Sequence, residues 1–309
     1  MKEKILLIKL GALGDFIFAL GIMKYYREKY AGAHLTLLTS PGLKKLGEQS
    51  GYFDEIIVDN RKSHDLKNWW YICKTTLADG GYKMIYDIQV SRRTRKKYYP
   101  LARFLTKGPF NWADLIHYYF NVTHVLPKCR FTWGKETVSQ EKFPYVEPDV
   151  SFFKGPRKNF DLLPEKYALM VPGCSAANAY KRWPAYRYAE LARKFADIGI
   201  PTVILGTNAE AQELNYIEQN SPQTVNMMGK SDLFDIPAIA EKAVAVVGND
   251  TGPAHIASFC KKPTAYLFIR RNCQAARTAP NVVNFIEEKI EDTSADAVFN
   301  ALQKLINQK

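Results

Sequence analysis

Short aliphatic and β-branched runs alternate with longer helical patterns along most of this chain, and that alternation restricts it to an α/β fold. Strands are expected at Ile5–Ile8, Leu35–Thr39, Glu55–Val58 and Met84–Ile88. A second set follows at Tyr167–Val171, Thr202–Leu205, Val244–Val247, Thr264–Phe268 and Val283–Phe285. Phe16–Tyr30 carries Phe16, Ala19, Leu20 and Met23 at helical spacing, and Tyr186–Ile198 carries Tyr188, Leu191, Ala192 and Phe195 in the same way. Such alternation builds βαβ units and parallel sheets.

The two sets are separated by residues 127–165, where Pro127, Pro144, Pro148, Pro156 and Pro164 withhold backbone donors and resist regular structure. A boundary near 155–165 gives domains 1–160 and 161–309, which suits a chain of 309 residues. Each domain is expected to be a Rossmann-like open sheet binding ligand beyond the carboxyl ends of its strands. The economical arrangement is two such domains facing a central cleft. Thr293–Gln308 reads as a closing helix, capped by Thr293 and striped by Val298, Leu302, Leu305 and Ile306. It is a candidate to pack back on the first domain.

Composition excludes several classes. No run approaches the ~20 apolar residues of a membrane span. Ile5–Ile8 is too short for a signal peptide, and no cleavage site follows it, so it reads as the first strand of a cytoplasmic protein. The five cysteines, Cys73, Cys129, Cys174, Cys260 and Cys273, include no CxxC pair and read as reduced thiols, neither a disulfide framework nor a zinc site. Lys and Arg number 43 against 31 Asp and Glu, a formal charge of +12 that attracts nucleic acid, anionic membrane or acidic small molecules. Residues 92–107 hold seven basic residues and no acid, with Tyr98, Tyr99 and Phe104 among them. A non-catalytic nucleic-acid-binding protein is weakened because no helix-turn-helix, RRM or zinc pattern accompanies the charge.

Three segments could carry chemistry. Lys9–Asp15 follows the first strand with Gly11 and Gly14, which permit close ligand approach, and with Asp15 at a helix start, where an acid also serves as a cap. It is not GxGxxG, so nicotinamide binding has little support. Pro172–Ser175 and then Lys181–Pro184 place a hydroxyl and two cations after a strand, a pattern able to neutralise a diphosphate. Gly248–His255 follows an apolar strand and opens a helix, which aims backbone N–H groups and the helix dipole at one anion. There Asp250 could cap the helix and Thr251 donate its hydroxyl, while Gly252 allows close backbone approach. His255, five residues beyond Asp250, is expected to face another side of the turn and to orient the loop. No HxxxH or HExxH pattern suggests a metal.

In this order and spacing, “IKLGALGDFIFALG”, “YDIQVSRRT”, “PGCSAANAYKRWPAYRYAELARKF” and “VGNDTGPAHIASFCKKPTAYLF” resemble glycosyltransferase family 9, the ADP-heptose:lipopolysaccharide heptosyltransferases. Phe268–Cys273 departs from the Gly-containing loop that often follows the family's final strand. The resemblance implies a GT-B fold and inversion at the anomeric carbon. It implies transfer of a heptose from ADP-heptose to the Kdo or heptose inner core of lipopolysaccharide, with no built-in metal or other cofactor. Asp15 becomes the general base. Ser175, Lys181, Glu210, Asp250, Thr251, Gly252 and His255 become donor-side residues, Glu210 near the ribose. Gly14, Gln89, Arg92 and Arg93 become acceptor-side residues. The basic run, with Trp69, Trp70, Tyr98 and Tyr99, would meet the anionic cytoplasmic face of a Gram-negative inner membrane. A GT-B enzyme with another nucleotide sugar or acceptor is the alternative.

Overall fold

The computed structural model describes residues 2–62, 65–115, 146–273 and 275–308. The chain divides into two compact units that meet between Pro148 and Asp149. That junction precedes the proline-based boundary because the intervening segment is anchored on the second unit. Arg157 donates its N–H to Asp235 Oδ1 at 2.7 Å, and the Phe153 ring lies 5.4 Å from that of Phe234.

The first unit contains β1 (Lys4–Lys9), β2 (His34–Thr39), β3 (Glu55–Val58), β4 (Met84–Asp87) and β5 (Trp112–Asp114). They form one parallel sheet in the order β3-β2-β1-β4-β5. Ile5–Ile8 is buried throughout, as a parallel strand covered on both faces requires. The Leu13–Lys29 helix is buried well beyond the expected stripe: Ile17, Phe18, Ile22 and Tyr26 are also enclosed.

The second unit contains β6 (Tyr167–Val171), β7 (Thr202–Ile204), β8 (Thr224–Asn226), β9 (Ala243–Asn249), β10 (Thr264–Ile269) and β11 (Val282–Glu287). Their order is β11-β10-β9-β6-β7-β8, again parallel. Its main core joins Met170, Leu191, Phe195, Val247 and Leu267. The closing helix, Ala295–Asn307, lays Val298 and Leu302 into that same core, so it packs on its own sheet. Its cap is Ser294 rather than Thr293: the Ser294 hydroxyl accepts from Ala297 N.

Both sheets reverse direction beside their first strand. In the first unit the chain moves from β1 out to β2 and β3, then returns to β4 on the other side; in the second it moves from β6 to β7 and β8, then returns to β9. Connections diverge at such switch points and leave a crevice past the strand ends. Lys9–Asp15 and Gln89–Arg93 leave one switch point, and Pro172–Ser175 and Asp250–His255 leave the other.

β5 and β8, three residues each, escaped the sequence reading because edge strands that short carry no period. The cysteine expectation holds for Cys73, Cys174 and Cys260, which are free, and fails at Cys273, which is disulfide-bonded. Pro127, Pro144 and Cys129 lie outside the described residues. Among the described residues no helix is long and apolar enough to cross a membrane.

Gly248 sets the approach of β9 to the following helix: a Cβ there would lie 2.6 Å from Ala254 Cβ and 3.3 Å from Val171 Cβ. Gly248→Ala is expected to cost about 1–3 kcal/mol of stability through overpacking, seen as a lower urea midpoint with an unchanged slope.

Candidate active site

The second unit's switch point is built around one buried amide. Asn249 ends β9 with no exposed surface. Its Nδ2 donates to the Pro172 carbonyl at 2.5 Å, and its Oδ1 accepts from Trp183 N and from the Tyr188 hydroxyl, each at 3.1 Å. One side chain thus ties the loop after β6 and the start of the Ala185–Asp197 helix to the end of β9.

Asp250 comes next. Its Oδ2 accepts from Lys181 Nζ at 2.5 Å, and its Oδ1 lies 3.1 Å from His255 Nε2. Burial opposes ionisation of Asp250, but the hydrogen bond and charge of His255, with those of Lys181, outweigh it and hold the carboxyl below its ordinary value. His255 is buried, and its Nδ1 lies 2.9 Å from the Tyr266 hydroxyl. The expectation that His255 faces away from Asp250 is therefore overturned. Asp250 precedes the helix in the turn, so helical angles do not separate the two residues. Nor does Asp250 cap the Gly252–Phe259 helix; Thr251 does, its Oγ1 accepting from Ala254 N at 3.4 Å. Gly252 is buried in the first turn.

Around this group stand the other residues that the family resemblance assigns to the donor. Ser175 is exposed, and its Oγ accepts from Asn178 Nδ2 at 2.9 Å. Arg182, beside Lys181, donates to Glu213 and, at 3.0 Å, to the Cys174 carbonyl, so its fork fixes the loop. Glu210 is buried: its Oε2 accepts from Thr207 N at 2.9 Å and from the Thr207 hydroxyl at 2.6 Å. Its Oε1 faces Gly173, where a Cβ would lie 3.2 Å away. The arrangement offers an anion one ammonium, one hydroxyl and a helix N-terminus past the β6 and β9 strand ends.

The first unit's switch point is built from charge. Asp15 is the third residue of the Leu13–Lys29 helix, half-buried, and its Oδ2 accepts from Ala12 N at 3.3 Å. Gly14 beside it is half-buried. Gln89 Oε1 accepts from both Leu10 N and Gly11 N, at 2.9 and 3.0 Å, and so secures the loop that leads to Asp15. Asp87 in turn shapes the segment carrying Gln89, its Oδ1 accepting from Gln89 N at 3.0 Å and Val90 N at 2.9 Å. Arg92 is exposed. Arg93 is committed elsewhere: Nε and Nη2 grip the two oxygens of buried Asp59, each at 3.0 Å, where the Tyr98 hydroxyl also donates.

Lys9 and Asp87 escaped the sequence reading as site residues. Burial pushes the Lys9 ammonium down to about 8, against the pull of Asp15 and Asp87. Burial pushes the Asp87 carboxyl up to about 7, and its Oδ2 has no hydrogen-bond partner among the described residues. Their signal was a charged residue at the end of each of two apolar strands. Among the described residues no cluster of His, Cys, Asp and Glu could hold a metal ion.

The sequence profile described as “Glycosyltransferase family 9 (heptosyltransferase)” matches residues 112–297, more than half of the chain. The chain belongs to glycosyltransferase family 9. It is 24% identical to the lipopolysaccharide core heptosyltransferase OpsX of Haemophilus influenzae, over 94% of this chain and 86% of that one. A shorter match, 32% identical over 40% of this chain and 39% of the relative, is to lipooligosaccharide heptosyltransferase 2 of the same organism. Among solved structures, the Escherichia coli ADP-heptose lipopolysaccharide heptosyltransferase II superposes with a TM-score of 0.68 at 19% identity, over 99% of both chains. Escherichia coli heptosyltransferase WaaC with ADP does so at 0.68 and 16%, over 98% of this chain and 99% of that one. The fold is GT-B, and the protein is a glycosyltransferase.

Asn249→Ala would leave the Pro172 carbonyl, Trp183 N–H and Tyr188 hydroxyl unpaired; an expected loss of about 2–5 kcal/mol is measurable by chemical denaturation. Asp87 gives a pH test. Its folded pKa lies above the ordinary 3.8, so its contribution favours the fold in acid and is lost as pH rises toward about 7. Stability of Asp87→Asn relative to the parent should therefore grow by about 2–4 kcal/mol between acid and neutral pH, read from urea midpoints across that range.

Proposed function

We propose that this glycosyltransferase moves a heptose from ADP-heptose to the Kdo or heptose inner core of lipopolysaccharide, inverting the anomeric carbon. Membership of the heptosyltransferase family supports the sugar and the pathway, and a fold relative solved with ADP supports the nucleotide. The observation that carries the reading is the second unit's switch point, where Lys181, a Thr251-capped helix N-terminus and the Gly173 loop converge. A diphosphate leaving group develops charge as the glycosidic bond breaks, and donors already held in place stabilise it without reorganising. In this reading Lys181 keeps its bond to Asp250 and turns its remaining N–H groups to the diphosphate. Ser175 and the Gly252 backbone supply further donors. Glu210 offers Oε1 to the ribose hydroxyls, and His255 holds Asp250 in place. This set of donors lets the reaction proceed without a built-in metal.

Asp15 is the general base. It takes the proton of the acceptor hydroxyl as that oxygen attacks the anomeric carbon, which requires approach to ~2.6–3.2 Å. Gly14 admits the acceptor, Gln89 secures the loop, and exposed Arg92 meets acceptor carboxylates or phosphates. Arg93 acts through Asp59. The enzyme works at the anionic cytoplasmic face of the inner membrane, where such an acceptor is anchored.

Asp15→Asn should lower turnover by about 10²–10⁴-fold while ADP affinity, measured by calorimetry, stays within about twofold; parental turnover in the variant would remove Asp15 from the chemistry. A thermal-shift panel of ADP-, UDP- and GDP-sugars checks the donor. Stabilisation is expected from the ADP compounds, and stabilisation by UDP alone would replace the heptosyl donor with another nucleotide sugar.

A further inference from the structure

Two segments of the first unit, distant in sequence, form one surface. The Leu66–Trp70 helix continues into the wide-turned Tyr71–Ala78 stretch, and the wide-turned Thr94–Tyr98 stretch continues into the Tyr99–Leu105 helix. Their inner faces close a core of Ile72, Cys73, Leu77, Tyr98 and Ala102. Tyr98 is thereby buried and drops out of the expected membrane-facing set. The outer faces leave a groove lined by the apolar Leu66, Trp69, Pro100, Leu101 and Phe104 and by Lys62, Lys96 and Lys97. Phe104 is 85% exposed and Leu66 69%, with Trp70, Tyr71 and Tyr99 exposed nearby.

We infer that this groove and its aromatic rim dock on an anionic phospholipid leaflet, with Phe104 and Leu66 entering the acyl boundary while Lys62, Lys96 and Lys97 meet headgroup phosphates. The inference rests on the membrane-face reading above and names the surface responsible.

Charge complementarity selects the occupant. Residues 92–107 contain no acid, and the one acid between Lys62 and Tyr71, Asp65, accepts from Asn68 N and from Asn60 Nδ2. A soluble anion gives no reason to expose Phe104 and Leu66. Aromatic and aliphatic side chains flanked by lysines suit the interfacial zone of a bilayer, where rings sit at headgroup depth and long cationic side chains reach the phosphates.

The test is co-sedimentation of the full chain with vesicles of phosphatidylcholine alone, or with roughly one-third phosphatidylglycerol, at low and high salt. The parent should bind the anionic vesicles and not the neutral ones. Lys96→Ala with Lys97→Ala should weaken binding roughly 30-fold at low salt. Leu66→Ser with Phe104→Ser should weaken it roughly tenfold or more. Both double variants should keep the parental melting temperature and its rise with ADP, since the altered side chains lie outside the core. Parental vesicle binding by both variants would overturn the surface while leaving membrane attachment intact. No vesicle binding by the parent would overturn both. A dimer in sedimentation equilibrium that Phe104→Ser dissociates would assign the face to a second copy of the chain and overturn the lipid.

Discussion

The second unit depends on a single buried carboxamide. Asn249 satisfies a carbonyl, an N–H and a hydroxyl on two segments far from it in sequence. Backbone that leaves a parallel sheet past the strand ends loses its ladder partners, and buried polar groups left unpaired there are costly. An amide can donate and accept at once without carrying charge, so it joins the loop after β6 to the end of β9 with no desolvated ion. Lys181 and Asp250 can then face each other beside a helix N-terminus whose position is already fixed. The ion pair stands on a frame that the amide holds.

The first unit meets the same geometric problem with charge. Lys9 and Asp87 end two adjacent strands, with Ile8 in register with Asp87, and both are buried. Burial draws the lysine down and the carboxyl up, so each approaches its neutral form. Enclosed ionisable groups gain less from pairing than they lose in hydration, and a site of this kind is held by need more than by stability. The outcome is a loop fastened by Gln89 and leading to a half-exposed Asp15 in the field of Lys9. Arg93, by contrast, spends its fork on Asp59, a structural use of a residue that sequence position alone would assign to a ligand.

The loops of the candidate site were legible because a strand ending in glycine and small polar residues before a helix is a strong local pattern. Lys181, Thr251 and Gly252 stand where their segments placed them, at the ends of β6 and β9. His255 and Asp250 were separated wrongly because helical spacing was applied across a turn that is not helical. Asn249 lies inside the Gly248–His255 segment, yet nothing local marks its role. Its importance lies in partners 61 to 77 residues away, and no local pattern reports them. The short edge strands and the burial of Tyr98 were missed for related reasons. Three residues carry no period, and an aromatic among lysines looks exposed until a neighbouring segment covers it.

The sequence by itself determined the α/β class, the two sheets, the loops at their strand ends and the family. The class, the sheets and the loops follow from local periodicity and from residue types whose backbone demands are strong, and the family from motifs that resemble its own. Tertiary contacts alone show which of these side chains are tied into the frame. The tertiary structure joined Asp250 to His255, gave Arg93 to Asp59, and set the helix of residues 66–70 beside that of residues 99–105. The physical reason is that pairing, burial and shared surface are properties of side chains brought together by chain reversal, and the order of residues along the chain does not contain those distances.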